Sequence, residues 1–196
     1  MIKKEHLQWW DNNLNNKKND FIGWLDTSDI KSREFIFKFI SENKITNVLE
    51  CGPGTFIDYN LFFKTNELVG YSCIDITDDI VKEGKENNID ISLSSIENIE
   101  KLDNSFELVY CRHVLEHQDS YKKSLEEMIR VSSKYAIVIF WLLTDNENNE
   151  INYDENQKLY HNTYSKKEIE NYLSEFNVSY SWEYCDIDKI LVIEKN

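Results

Sequence analysis

Residues 47–59, NVLECGPGTFIDY, leave the backbone few choices. Val48-Leu49 reads as the end of a buried strand that stops at Glu50. Cys51, Gly52, Pro53, Gly54 and Thr55 break the apolar run, and Phe56-Ile57-Asp58-Tyr59 resumes it. Pro53 is the only proline of the chain and is flanked by two of its five glycines. Glycine admits positive φ and close approach to the backbone, and proline stiffens the turn. Strand, glycine turn and helix is the arrangement with which α/β folds hold a nucleotide-like ligand beyond a strand's carboxyl end. The dinucleotide fingerprint GxGxxG fails, because Ile57 stands where its third glycine belongs. A glycine turn also serves plain chain geometry, so the rest of the sequence has to decide.

The other segments alternate between strand and helix patterns. Ser32–Glu42 places Phe35, Ile36, Phe39 and Ile40 at helical spacing, with Ser28 or Asp29 as a cap. Beyond the turn a short helix is expected over 58–64, a buried strand over 68–76, a helix over 78–85 and a strand over 89–93. A strand follows over 106–111, then a helix or turn opening at 112–117 and a helix over 121–131. YAIVIFWLL, residues 135–143, is a continuous apolar strand of the kind found inside a parallel sheet. Residues 144–156 read as a polar surface loop, and Ser165 caps a last helix over 166–176. Strands over 178–184 and 189–193 form a hairpin through Cys185–Asp188. The alternation predicts a mainly parallel sheet with helices on both faces. Asp75, at the end of the second strand, lies 21 positions beyond Gly54, the spacing at which an acid receives ribose hydroxyls.

At 196 residues the chain reads as one folding unit. Its net charge of −14 makes nucleic acid a poor partner, and the Lys17-Lys18, Lys122-Lys123 and Lys166-Lys167 pairs are short solvated stretches. The sequence shows no signal-peptide pattern and no apolar run long enough to span a bilayer, so no membrane partner and a cytoplasmic setting are expected. Cys51, Cys73, Cys111 and Cys185 are scattered without a CxxC pair and fit no metal centre, so they read as reduced thiols. The first residues carry Trp9, Trp10, Phe21 and Trp24, which read as a helical segment over 1–28 that packs on the remainder, 29–196, or closes over its pocket as a lid.

Residues 48–54 resemble the first motif of class I S-adenosylmethionine (SAM)-dependent methyltransferases, V-L-E/D-x-G-x-G. The resemblance extends to the small-molecule, type 11-like group: Ser105–Val109 and Val114–His117 match its "sFDLVxxxxVLEH" segment, and Arg130-Val131 its "RV". Tyr71–Thr77 looks like its second-strand segment, with Asp75 as the ribose acid. Two departures stand out. Ser132-Ser133-Lys134 replaces K-P-G-G, so that turn must be built differently, and Ser95 replaces an Asp near the adenine amino group. The resemblance covers roughly residues 30–143.

What the resemblance implies is a Rossmann-like, doubly wound α/β fold with a mainly parallel seven-stranded sheet, a C-terminal antiparallel hairpin and an N-terminal helical segment. It implies SAM as cofactor. Gly52 and Gly54 would let the backbone pass the methionine and ribose parts, beside Cys51. Glu50 would meet the ammonium and Asp75 the ribose, Ser95 and Ile96 the adenine, Cys111 and Arg112 the sulfonium, with Ile76 and Phe56 on apolar faces of the ligand. Because the methyl donor is already activated, the protein chiefly aligns the acceptor. A hydroxyl or ammonium acceptor must also lose a proton, and His113, His117 and His161 are the candidate bases, with Tyr164 or His161 expected to line the acceptor pocket. The acceptor is expected to be an oxygen or nitrogen of a small molecule or a glycan sugar. Without an N-P-P-Y or D-P-P-Y stretch, DNA-base amino groups are poor acceptors, and without cysteine triplets radical SAM chemistry is disfavoured.

Two readings compete. His113-Val-Leu-Glu116-His117 also fits the zinc-protease pattern HxxEH, which needs both imidazoles on one face of a long helix. A protein of the same fold that binds the cofactor without catalysis would show the same motifs.

Overall fold

The computed structural model describes residues 30–196, with side chains from Lys31 onward. The expected segment 1–28, including its lid role and the capping residues Ser28 and Asp29, lies outside the described residues. The principal elements are α1 (Ile30–Glu42), β1 (Asn47–Cys51), α2 (Ile57–Leu61), β2 (Gly70–Asp75), α3 (Asp78–Glu86), β3 (Ile91–Leu93) and β4 (Phe106–Arg112). After them come α4 (Lys122–Val131), β5 (Ser132–Phe140), α5 (Lys166–Leu173), β6 (Val178–Cys185) and β7 (Asp188–Lys195).

These strands form one seven-stranded sheet in the order β6-β7-β5-β4-β1-β2-β3. Strands β5, β4, β1, β2 and β3 run parallel, whereas β7 pairs antiparallel with both β5 and β6. The β6–β7 hairpin turns at Asp186-Ile187, within the expected connection. The strand order steps outward from β1 to β3 on one side and from β4 through β5 and β7 to β6 on the other. The carboxyl ends of β1 and β4 therefore lie side by side where the order reverses, the position at which open α/β sheets bind ligands.

The period of two in a strand divides the core. Leu49, Val109, Val138 and Leu191 pack with α4 and α5. Val48, Leu108, Ile137 and Ile190 pack with Ile36 and Ile40 of α1. Burial on both faces explains why 136–140, AIVIF, has no polar alternation. Each such side chain contributes roughly 1.5–3 kcal/mol when taken fully out of water.

Several boundaries differ from expectation for physical reasons. Residues 58–64 are split into the short α2 and a 3₁₀ turn at Phe63–Thr65. Helix α4 runs straight into β5: Ser132 caps the helix with extended backbone and is already the first strand residue. Its hydroxyl bonds the Ile129 carbonyl at 3.1 Å, so Ser-Ser-Lys makes an immediate helix-to-strand change instead of a glycine turn. Helix α5 stops at Leu173, and at its start Ser165 Oγ accepts the Glu168 amide at 3.2 Å, the expected cap. Within 144–156 the chain still finds short pairings: Leu143–Thr144 lies parallel to Tyr164–Ser165, and Tyr153–Asp154 opposes Leu159–Tyr160. The four cysteines are free thiols, three of them buried. Among the described residues no helix is long and apolar enough to cross a membrane.

Candidate active site

The loop after β1 is tied to its neighbours by the backbone. The Gly52 amide donates to the Ile74 carbonyl at 2.8 Å, and the Phe56 amide donates to the Pro53 carbonyl at 3.0 Å. Gly52 and Gly54 have φ of 76° and 54°. A Cβ on Gly52 would lie 2.7 Å from Val114 Cγ2, so this glycine lets the loop pack against the turn after β4. A Cβ on Gly54 would meet none of the described residues within 4 Å. The loop thus presents bare backbone to open space, which is the cradle a ligand needs. Phe56 also has positive φ, 59°, but its ring is buried with Cys73, Ile80 and Val81. It supports α3 and β2 from within the core instead of presenting a face to a ligand.

One strand over, Asp75 ends β2. Its Oδ1 accepts from the Thr77 amide at 2.9 Å and the Thr77 hydroxyl at 2.7 Å, which fixes the carboxylate at the strand's carboxyl end. The Asp75 carbonyl accepts from the Ser94 amide at 2.9 Å, bringing Ser94–Ile96 alongside. Ile76 and Ser95 are half-buried there, whereas the Ile96 side chain belongs to the core. The Ser95 hydroxyl accepts the Glu97 amide at 3.1 Å.

Glu50 points to the α1 face. Tyr71 donates its hydroxyl to Glu50 Oε2 at 2.5 Å. Nearby, the Arg33 guanidinium pairs with Asp58 Oδ1, and the Tyr110 hydroxyl donates to Asp58 Oδ2 at 3.1 Å. Burial pushes the Glu50 carboxyl up from its ordinary range, opposed by the Tyr71 bond and the charge of Arg33. This polar network joins α1, β1, β2, α2 and β4 beneath the glycine loop. The carboxylate of Glu50 is held by it, a role that the motif alone does not disclose.

The turn after β4 collects the remaining candidates. The side chain of Cys111 points into the core with its sulfur 3.8 Å from Met128 Sδ, and burial pushes the Cys51 and Cys111 thiols well up. Only the backbone at 51 and 111 is left to meet a ligand. Arg112 Nε donates to Ser32 Oγ at 3.1 Å, and Nη2 lies 3.6 Å from Asp188 Oδ2. His113 takes φ of 53°, its amide donates to the Ile139 carbonyl at 2.9 Å, and its Nε2 is 2.8 Å from Asp188 Oδ1. His117 Nδ1 donates to the Tyr160 carbonyl at 2.8 Å, and its ring meets His161 edge-on at 5.4 Å. The structure therefore separates His113 from the His117–His161 pair.

That separation removes the geometric premise of the HxxEH reading. Residues 115–117 make a single 3₁₀ turn instead of a long helix, and the two imidazoles bond to different elements. Among the described residues no group of three or more His, Cys, Asp or Glu side chains is placed to hold a metal ion.

Three residues acquire roles that the motifs did not assign. Asp188, fully buried at the start of β7, joins Arg112 and His113 from 75 positions along the chain, a distance at which no local pattern gives warning. Glu116, 0 % exposed, accepts the Trp141 amide at Oε1 (2.7 Å), and its carbonyl accepts the Asn162 amide at 2.9 Å. It links the ends of β4 and β5 to the loop before α5. Burial raises its carboxyl to about 7, against the pull of the backbone amides. Of the two alternatives for the acceptor pocket, Tyr164 is fully buried and donates to the carbonyls of Leu115 and Gln118 at 3.0 and 2.9 Å. It braces this junction from inside, leaving half-buried His161 as the member of that segment nearer the surface.

Comparison with known proteins agrees with this layout. A family description, methyltransferase domain, matches residues 49–140. No curated protein matches the chain. Among solved structures, the 1,6-didemethyltoxoflavin-N1-methyltransferase of Burkholderia thailandensis, with S-adenosylhomocysteine bound, superposes with a TM-score of 0.72 at 12% identity, over 100% of this chain and 92% of its own. The magnesium protoporphyrin IX methyltransferase of Synechocystis PCC 6803 gives 0.70 at 9% identity, over 98% and 100%. A SAM-dependent methyltransferase of Aquifex aeolicus gives 0.58 at 17%, over 88% and 96%. At these identities the structural likeness speaks for the fold alone. Residues 49–140 thus match the methyltransferase-domain family, within a fold that the chain shares with solved SAM-dependent methyltransferases.

Proposed function

We propose that the protein transfers a methyl group from SAM to an oxygen or nitrogen atom of a small molecule. The observation that carries this is the open space before Gly54, with the oriented Asp75 carboxylate at the end of the adjacent strand. Gly52 and Gly54 would hold the methionine and ribose parts by their backbone, Asp75 the ribose hydroxyls, and Ile76, Ser95 and the Ile96 backbone the adenine. Arg112 and the backbone at Cys51 and Cys111 would lie beside the sulfur, and Glu50 supports the loop through Tyr71. The bound cofactor supplies an activated methyl group, so the chain's own task is to align an acceptor and exclude water.

Two of the similar structures are named for methyltransferases of small heterocycles, a toxoflavin precursor and a porphyrin, which favours a small acceptor over a polymer. A sugar is a narrower choice within that class. His113, His117 and His161 stand at the acceptor side as candidate proton acceptors. Residues 1–28, with their four large aromatics Trp9, Trp10, Phe21 and Trp24, are proposed to cover this side as a segment distinct from 29–196. The four free thiols suit a reducing cytoplasm. Calorimetry with SAM and S-adenosylhomocysteine tests the reading: one site per chain is expected for both, and the absence of heat for either would refute it.

A further inference from the structure

His113 is built differently from the other histidines of the site. It follows β4 directly, and its amide is anchored to the Ile139 carbonyl of β5 at 2.9 Å. Its left-handed φ of 53° aims the ring across the sheet toward β7. There Nε2 meets Asp188 Oδ1 at 2.8 Å. Burial alone would raise Asp188, but the imidazole contact and the Arg112 charge outweigh it and hold the carboxyl below its ordinary range. An ionised carboxylate only accepts hydrogen bonds, so Nε2 must carry the hydrogen. Nδ1 of the neutral ring is then a bare lone pair, and among the described residues no hydrogen bond engages it. The groups facing this ring are Asp188 from β7, Arg112 from β4 and Arg33 from α1, with the Trp141 ring 6.3 Å away. Burial and the two arginines lower the imidazole's affinity for a proton, which keeps the base free at neutral pH, and Asp188 opposes them. His117, by contrast, is backed at Nδ1 by the Tyr160 carbonyl.

We propose that His113, positioned by Asp188, removes the proton from the methyl acceptor, and that the acceptor is therefore a protic group, a hydroxyl or an amine. The inference rests on the methyltransferase reading and narrows it. The acceptor's O–H or N–H bond breaks and its proton joins Nδ1. The acceptor's lone pair takes the methyl carbon, and the carbon–sulfur bonding pair stays on sulfur. Sulfur thereby loses the positive charge that the imidazole gains, and the new imidazolium lies against Asp188. Acceptors that are already anionic, such as thiolates, need no such step.

The test combines two measurements on the full chain. Imidazole ¹⁵N spectra with S-adenosylhomocysteine present, assigned by the resonance lost in His113→Asn, should show the Nε2–H tautomer at pH 7.5. Asparagine is chosen because it tolerates left-handed backbone. An Nδ1–H tautomer or a charged ring at that pH overturns the proposal. Methyl-labelled SAM is then offered with catechol, benzylamine and thiophenol, the last being largely ionised without help. Label is expected in catechol or benzylamine. His113→Asn should lower that kcat at least 100-fold with KM within threefold and S-adenosylhomocysteine affinity unchanged. Label in thiophenol alone, label in none of the three, or an undiminished kcat in the variant overturns it. Asp188→Asn should lower kcat while rescue by Asp188→Glu restores part of it; equal losses in both variants would leave Asp188 without the positioning role. Failure of S-adenosylhomocysteine to bind defeats the methyltransferase reading itself, whereas binding with either adverse result defeats only this inference.

Discussion

Adding one methyl group to Gly52 or to Gly54 separates what the loop does for the fold from what it does for the ligand. Both glycines have left-handed φ, 76° and 54°, which costs a residue with a Cβ about 1–2 kcal/mol. For Gly54→Ala that is the whole structural cost, because the new methyl meets none of the described residues within 4 Å. In a chain of this size it corresponds to a fall in Tm of about 2–8 °C. Gly52→Ala adds a methyl 2.7 Å from Val114 Cγ2. Overpacking of that kind costs about 1–3 kcal/mol more, so roughly 2–5 kcal/mol in total and a fall of roughly 4–20 °C. Binding should follow the opposite logic. If the open space before Gly54 receives the cofactor, the mildly destabilised Gly54→Ala should still lose at least tenfold in S-adenosylhomocysteine affinity, about 1.4 kcal/mol. Scanning calorimetry and isothermal titration at 20 °C measure both quantities. A Gly54→Ala protein whose affinity stays within twofold of the parent would falsify the placement of the ligand.

Other substitutions probe the remaining parts of the site. Asp75→Ala should weaken S-adenosylhomocysteine binding at least tenfold, about 1.4 kcal/mol, by titration calorimetry; unchanged affinity would remove this carboxylate from the site. Asp58→Ala leaves the Arg33 guanidinium buried without its carboxylate and should cost about 3–5 kcal/mol in urea unfolding; a loss below about 1 kcal/mol would show that the pair does not hold α1 to the loop. Glu116 gives a pH signature. Its carboxyl titrates at about 7 in the folded chain, above the ordinary value near 4.3, so its contribution is complete below that ordinary value and is lost as pH rises toward 7. The loss amounts to about 3 kcal/mol at pH 8, and Glu116→Gln should abolish it; parallel stability–pH curves for the two proteins between pH 4 and 8 would contradict the assignment.

The parts of the molecule that were legible in the chain are those governed by local pattern. The apolar run 135–143 announced a strand buried on both faces, and the five residues 136–140 are indeed enclosed. Ser165 declared its helix, and the 178–195 hairpin was visible because two β-rich runs flank a short polar link. Gly52 and Gly54 marked the tight loop after β1 because few other residues take such φ values without cost. What stayed hidden depends on which side chains meet across the fold. Asp188 looks like an ordinary hairpin residue until β7 lies antiparallel to β5 and carries it to His113. Tyr164 and Glu116 sit in segments whose polarity suggests a surface, yet both are enclosed where three loops converge. Glu50 reads as a ligand contact by its strand-end position alone, and its bond to the Tyr71 hydroxyl, two positions along β2 from its register partner, depends on a face that the motif does not disclose. Ser132–Lys134 announced a turn built differently, and the chain passes from helix straight into β5 there.

The most direct test is a crystal structure of the full chain with S-adenosylhomocysteine. The account predicts ribose hydroxyls within hydrogen-bond distance of the Asp75 carboxylate, the ligand backbone running past Gly54, and its sulfur beside residues 111–113. Ligand density elsewhere, or a Gly54 face covered by the protein's own side chains in the complex, would contradict it.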